Sequence, residues 1–225
     1  MHSLTPEYRD LFIGGRWVAT SSNECIELVS HHTGSAPTDF LLPSVLDIDD
    51  TVDIAHLACH GEQWTSMTSS ERLALAGRLL DTFDRQRDRW ARYTVAENAA
   101  PGPFSKDMDA PLPGRREDGT EAAAPTTPLG VVVIVPWTGA SAVALVTEVA
   151  NTLADGGAVI VNLTADSVRT GRLIGELVVE AGVPEGVVSV LTATAPVSKY
   201  LVTHPDVDRL AVVGAETSRQ TTVAA

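Results

Sequence analysis

The residues of this 225-residue chain that could do chemistry lie mostly just after runs of Val and Ile. Thr138 and Gly139 follow Val131 to Trp137, Asn162 and Thr164 follow Ala158 to Val161, and Gly214 and Glu216 follow Arg209 to Val213. A hydroxyl, an amide and a carboxylate so placed could hydrogen-bond a small neutral ligand and fix its conformation. Orientation of that kind can speed a cyclisation, isomerisation or elimination without a covalent nucleophile. Trp137 adds an apolar ring, and Glu148 a carboxylate able to act as acid or base, although on an otherwise apolar helix it reads first as a surface group. His56, Cys59 and His60 have the i, i+3, i+4 spacing of metal ligands on one helix face. With no fourth ligand in view and Cys59 on the apolar side, the preferred reading is a packed cysteine flanked by exposed histidines, and no metal is expected. His31-His32 reads as a solvated loop pair. Arg85, Arg87, Arg89 and Arg92, interleaved with Asp84 and Asp88, read as a self-paired solvated helix face.

The elements that would position these groups fall into two textures. Leu11 to Ile13, the turn Gly14-Gly15 and Arg16 to Val18 predict a tight β-hairpin, and a further strand runs from Cys25 to Val29. A helix is expected from about Asp49 to His60. A second is announced by Thr68-Ser69-Ser70-Glu71, a capping box, and by Leu73, Ala76, Leu79, Leu80, Phe83, Trp90 and Val95 at helical spacing to about Glu97. Residues 101–128, with six prolines and few large apolar side chains, read as a linker between an N-terminal part (1–100) and a βα part (129–225). From Gly130 onward, strands (Val131 to Val135, Ala158 to Val161, Val187 to Leu191, Arg209 to Val213) alternate with helices (about Ser141 to Ala154, Ser167 to Ala181, Pro196 to Thr203). Near-continuous β-branched runs between helices predict an α/β fold, a Rossmann-like doubly wound sheet of about four parallel strands. Ligands of such sheets sit beyond the strands' carboxyl ends, where the polar candidates are.

Composition narrows the partners. Sixteen Lys and Arg against 29 Asp and Glu give a formal charge of -13, which disfavours nucleic acid and anionic membrane surfaces. The apolar stretches fall far short of a spanning helix, no basic-then-apolar leader is visible, and Cys25 and Cys59 carry no redox or metal-ligand spacing between them. A cytoplasmic location is expected.

Taken in order, Leu11-Phe12-Ile13-Gly14-Gly15-Arg16-Trp17-Val18, Pro128-Leu129-Gly130-Val131-Val132 leading to Val135-Pro136-Trp137, Ala181-Gly182-Val183-Pro184-Glu185-Gly186, and His204-Pro205-Asp206-Val207-Asp208 resemble landmarks of the NAD(P)-dependent aldehyde dehydrogenase superfamily. The resemblance implies that family's cofactor-binding half, with a catalytic domain that would carry the nucleophilic cysteine and the water-activating glutamate expected to be absent. Neither Cys25 nor Cys59 matches the nucleophile's place. The cofactor positions depart from the family pattern too. An oxyanion-stabilising asparagine after Pro136-Trp137 is replaced by Thr138 and Gly139. The ribose-binding Lys-Pro-Ser-Glu segment reads Asn162-Leu163-Thr164-Ala165. After the fourth strand Gly214 is kept, but a later glycine is Arg219, and Glu216 enters what should be a helix N-terminus receiving pyrophosphate. Two lost ribose partners at about 1 to 3 kcal/mol each weaken affinity by roughly two to four decades. No cofactor is therefore expected, NAD(P) being at most a weak or vestigial ligand.

Three roles follow from these expectations. The old crevice could hold a small, largely apolar metabolite and support a non-redox step, with Thr138, Asn162, Thr164 and Glu216 as polar groups. The chain could be a non-catalytic subunit whose face left by the missing domain is covered by a second copy or another protein. It could also be an aldehyde dehydrogenase completed by a separate catalytic chain.

Overall fold

The computed structural model describes residues 10–28, 38–91, 129–137, 140–164, 167–214 and 219–222. The predicted linker, the His31-His32 pair and the helix beyond residue 91 lie outside them.

The chain opens with a hairpin, β1 (Asp10–Ile13) and β2 (Arg16–Ala19), in antiparallel register. Gly14 and Gly15 both take positive φ, +56° and +82°, the turn geometry that matches the right-handed twist of paired strands. β3 (Cys25–Leu28) and β4 (Thr38–Leu41) form a separate two-stranded ribbon. Helix α1 (Val45–His60) begins four residues earlier than the periodicity suggests, because Ser44 caps it and Asp47 completes a capping box. A short α2 (Glu62–Thr65) leads to α3 (Ser69–Arg85), whose Thr68–Glu71 capping box matches the sequence reading.

The second part alternates as expected: β5 (Val131–Pro136), α4 (Ala142–Ala154), β6 (Ala158–Thr164), α5 (Val168–Glu180), β7 (Val188–Ala193), α6 (Ala195–Val202) and β8 (Arg209–Val213). A last strand, β9 (Arg219–Thr222), turns back antiparallel to β8. Four parallel strands, in the order β7-β6-β5-β8, form the centre of a seven-stranded sheet. The hairpin extends it on one side through Phe12 opposite Val190, and β9 on the other. The hairpin turn docks by Gly14 N–H donating to Ser189 Oγ (2.8 Å) and Gly15 N–H to the Val188 carbonyl (2.9 Å).

Alternation along the strands divides the core. Val132, Ile134, Val159, Val161 and Leu163 pack under α3, α4 and α5, with Leu79, Phe83, Leu145, Leu173 and Leu177. Val131, Val133 and Ile160 face α1 and α6, meeting Ile48, Val52, Ala55, Cys59 and Leu201. With helices on both faces, the strands are apolar on both sides, which is why they read as unbroken Val and Ile runs. Among the described residues no helix is long and apolar enough to cross a membrane.

The Arg series on α3 and the helical turn beyond it departs from expectation. Arg87 pairs within its own helical stretch, with Asp84 at 2.6 Å, but Arg85 reaches Glu180 (3.5 Å) and Arg89 pairs with Glu176, both on α5. These residues tie α5 to α3 and the helical turn beyond it, which lie side by side.

Candidate functional site

The parallel strands run from β5 to β6 to β7 on one side, and the chain then crosses to β8 on the other. The order reverses between β5 and β8, which is where open α/β sheets leave a crevice at their carboxyl ends. Two sequence candidates meet there. Trp137 N–H donates to the Val213 carbonyl (2.6 Å), the Trp137 carbonyl accepts from Ala140 N–H (2.9 Å), and a Cβ on Gly214 would lie 3.6 Å from Trp137 Cβ. The Trp137 ring itself is 67% exposed at this rim. Thr138, Gly139, Ala165 and Glu216 lie outside the described residues.

The remaining candidates take other positions. Asn162 is not in a loop after the strand: β6 runs on to Thr164, so Asn162 points to the α6 face. There it is 4% exposed, and its Oδ1 accepts from Ser198 Oγ at 3.1 Å. Thr164 is the exposed last residue of β6, its hydroxyl 3.5 Å from Ser167 Oγ. Glu148 is not a surface carboxylate, being 5% exposed on the inner side of α4. Arg219 sits on strand β9, where a helix start had been expected.

His56 and His60 are exposed with ring centroids 4.4 Å apart, whereas Cys59 is buried against the sheet. Burial, reinforced by the negative charge of Asp208, pushes the Cys59 thiol above its ordinary range. A thiol so placed packs and does not ionise.

A groove that the sequence did not single out lies on the other side of the parallel strands. It runs between the hairpin, β4, the end of β7 and the start of α5, a shallow half-open depression. Phe12, Trp17, Phe40, Val168 and Val190 form most of its wall, with Thr192 and Asp10 as polar groups. Two glycines one helical turn apart let α5 come this close. A Cβ on Gly175 would sit 2.9 Å from atoms of both Phe12 and Trp17, and one on Gly171 3.1 Å from Leu163 and 3.3 Å from Thr192. The Phe12 and Trp17 rings are 5.0 Å apart, and the Arg172 guanidinium lies 5.1 Å over Trp17 while its Nε donates to Glu176 (3.2 Å). The legible signals were the Gly171/Gly175 spacing and the aromatic pair in the hairpin.

A sequence profile described as the aldehyde dehydrogenase family matches residues 104–224, more than half of the chain. The chain belongs to the aldehyde dehydrogenase family. It is 26% identical to a geranial dehydrogenase of Castellaniella defragrans over 94% of this chain and 48% of that one, and 27% identical to a phenylacetaldehyde dehydrogenase of Pseudomonas fluorescens over 91% and 46%. Among solved structures, an aldehyde dehydrogenase from Bacillus cereus in its NAD+ complex superposes with a TM-score of 0.75 at 22% identity, covering 93% of this chain and 47% of that one. A Mycobacterium tuberculosis aldehyde dehydrogenase complexed with NAD+ gives a TM-score of 0.70 at 23% identity, covering 91% and 46%. These likenesses establish an aldehyde dehydrogenase fold. The chain spans about half the length of the curated relatives it matches. The landmark segments read from the sequence thus fall in one family fold.

Proposed function

We propose that this chain uses the aldehyde dehydrogenase fold for a non-redox purpose: it holds a small, largely apolar molecule and, where that molecule is reactive, favours a cyclisation, isomerisation or elimination by fixing its conformation. The observation that carries the reading is the shallow, mostly apolar depression between the hairpin and α5, which sets a few polar groups beside aromatic and aliphatic side chains. Trp17 and Val168 would take the ligand's apolar body above the buried Phe12, Phe40 and Val190, and the Thr192 hydroxyl would bond a polar atom and set its orientation.

The residues present do not fit a dinucleotide, which is why the proposal contains no hydride transfer. Where the resemblance places a ribose-binding lysine, Asn162 is buried toward α6 with its oxygen taken by Ser198. Where it places the later glycine, Arg219 stands on β9, which pairs back onto β8 with Val212 opposite Arg219. A strand offers no cluster of unpaired N–H groups aimed at one anion. The same two features weigh against a role as the cofactor half of a dehydrogenase completed by another chain.

Calorimetric titration of the full chain with NAD+ and NADP+ should give no dissociation constant below about 1 mM. Saturation-transfer NMR with indole and 1-octanol as probes should show contact, lost in Val168→Trp, which closes the groove mouth. A micromolar constant for either nucleotide overturns the non-redox reading, and probe binding unaffected by V168W overturns the groove as the site.

A further inference from the structure

Helix α1 is apolar on two sides. Its inner face, Ile48, Val52, Ala55 and Cys59, is buried against the sheet. Its outer side carries Leu46 and Leu57, 66% and 71% exposed, with Ile54 at its edge beside the hairpin turn at Gly14, and Val45 is exposed at the helix start next to the inner face. Of the seven large apolar side chains exposed among the described residues, four lie on α1, and a fifth, Tyr200, donates its hydroxyl to Asp49 of α1 at 2.8 Å. The neighbouring α3 is built differently: its exposed positions are mainly polar, among them Ser70, Glu71, Arg78, Asp81, Asp84 and Arg85. A helix apolar on opposite faces has two packing partners, and the sheet supplies one.

The charges on the outer face choose the second. Asp50 and Asp53 are exposed and lie between Leu46 and Leu57, which are about 16 Å apart along the axis at 1.5 Å per residue. A two-fold antiparallel pairing of α1 with its copy, setting Leu46 on Leu57, would bring the Asp50 and Asp53 carboxylates of both chains together. Like charges so placed oppose association, and each chain already carries a formal charge of -13.

We propose that the outer face of α1 docks a basic amphipathic helix of another protein, whose apolar stripe covers Leu46, Ile54 and Leu57 and whose lysines or arginines meet Asp50 and Asp53. The partner helix lies along α1, its apolar side chains entering between Leu46 and Leu57, as in helix-in-groove recognition. The acidic pair sets the partner's charge, and the leucines supply most of the affinity.

The test is fluorescence anisotropy of the full chain with a labelled amphipathic helical peptide of about 20 residues, bearing Leu on one face and Lys on its flanks, against a twin with Glu in place of Lys. In ~0.15 M salt, where general attraction is screened, the chain should bind the Lys peptide at least about tenfold tighter than its twin. Asp50→Lys with Asp53→Lys should reverse that preference, and Leu46→Gln with Leu57→Gln should weaken Lys-peptide binding at least about tenfold. Glu24→Lys with Glu27→Lys, which makes the same charge change on and just before β3, should keep the preference. The proposal is overturned if D50K/D53K behaves like E24K/E27K, if neither peptide binds, or if sedimentation shows a dimer that L46Q/L57Q dissolves.

Discussion

Asp47 joins the N-terminus of α1 to the segment that leaves the hairpin, and its removal has a calculable cost. Its Oδ2 accepts from Ser44 N–H (2.7 Å) and Thr20 Oγ1 (2.8 Å), its Oδ1 from Ser21 N–H (2.9 Å), and its own N–H donates to Ser44 Oγ (3.2 Å). Partial burial opposes its ionisation, but the bonds from Ser44, Ser21 and Thr20 outweigh it and hold the carboxyl below the ordinary carboxylate range. In Asp47→Ala two backbone N–H groups lose their acceptor, while Thr20 keeps the Leu42 carbonyl (3.1 Å) as an alternative. Two or three charge-assisted bonds in a partly wet site suggest a loss of about 2 to 4 kcal/mol. For a chain of this size that lowers Tm by roughly 4 to 16 °C. Asp47→Asn, which keeps one acceptor and loses the charge, should fall between.

The sign of the pH dependence follows from the lowered folded-state value. The stabilisation is present above the unfolded carboxyl pKa of about 4 and is lost as pH falls through the still lower folded value. Urea unfolding of wild type and Asp47→Asn from about pH 7 to pH 3 should therefore show a constant gap at the upper end that closes on acidification. A gap independent of pH, or an Asp47→Ala protein melting within about 2 °C of wild type, would refute the reasoning.

Two further expectations concern the hairpin face and the thiols. Gly175→Ala should destabilise by about 1 to 3 kcal/mol, less any helix-propensity gain of up to about 1 kcal/mol, because the new methyl meets Phe12 and Trp17 at 2.9 Å; Gly171→Ala, with nearest atoms at 3.1 to 3.4 Å, should be milder in thermal melts. Cys25 is exposed and Cys59 buried with its thiol value raised, so a disulfide reagent at mildly alkaline pH should titrate one thiol quickly and the second only on unfolding; equal rates would contradict the packing of α1.

The parts of the fold written in local physics were legible from the residues. Gly14-Gly15 demanded a hairpin turn, Thr68 and Glu71 announced α3, and the Val and Ile runs after Gly130 specified strands covered on both faces. The extended start of α1 was missed although Ser44 and Asp47 carry the same capping chemistry, since the exposed Val45 and Leu46 blur the helical period. At the candidate site, Trp137 and Gly214 were each legible as residues following a strand, and the pairing of β5 with β8 made them neighbours.

The amino-acid sequence by itself determined the family, the parallel centre of the sheet and the acidic character of the surface, because each rests on short-range pattern or composition. Tertiary structure alone decided where side chains point. β6 stays paired three residues past the apolar run, through Thr164, and that pairing turned Asn162 toward Ser198, since successive residues of a strand face opposite sides. It likewise decided that the segment after β8 returns as β9, that Arg85 and Arg89 bridge to α5, and that Gly171 and Gly175 let the hairpin close a groove. Apart from the β8–β9 pairing, those contacts join residues far apart in the chain, 36 positions for Asn162 and Ser198 and 87 for Arg89 and Glu176, and no short window contains both partners.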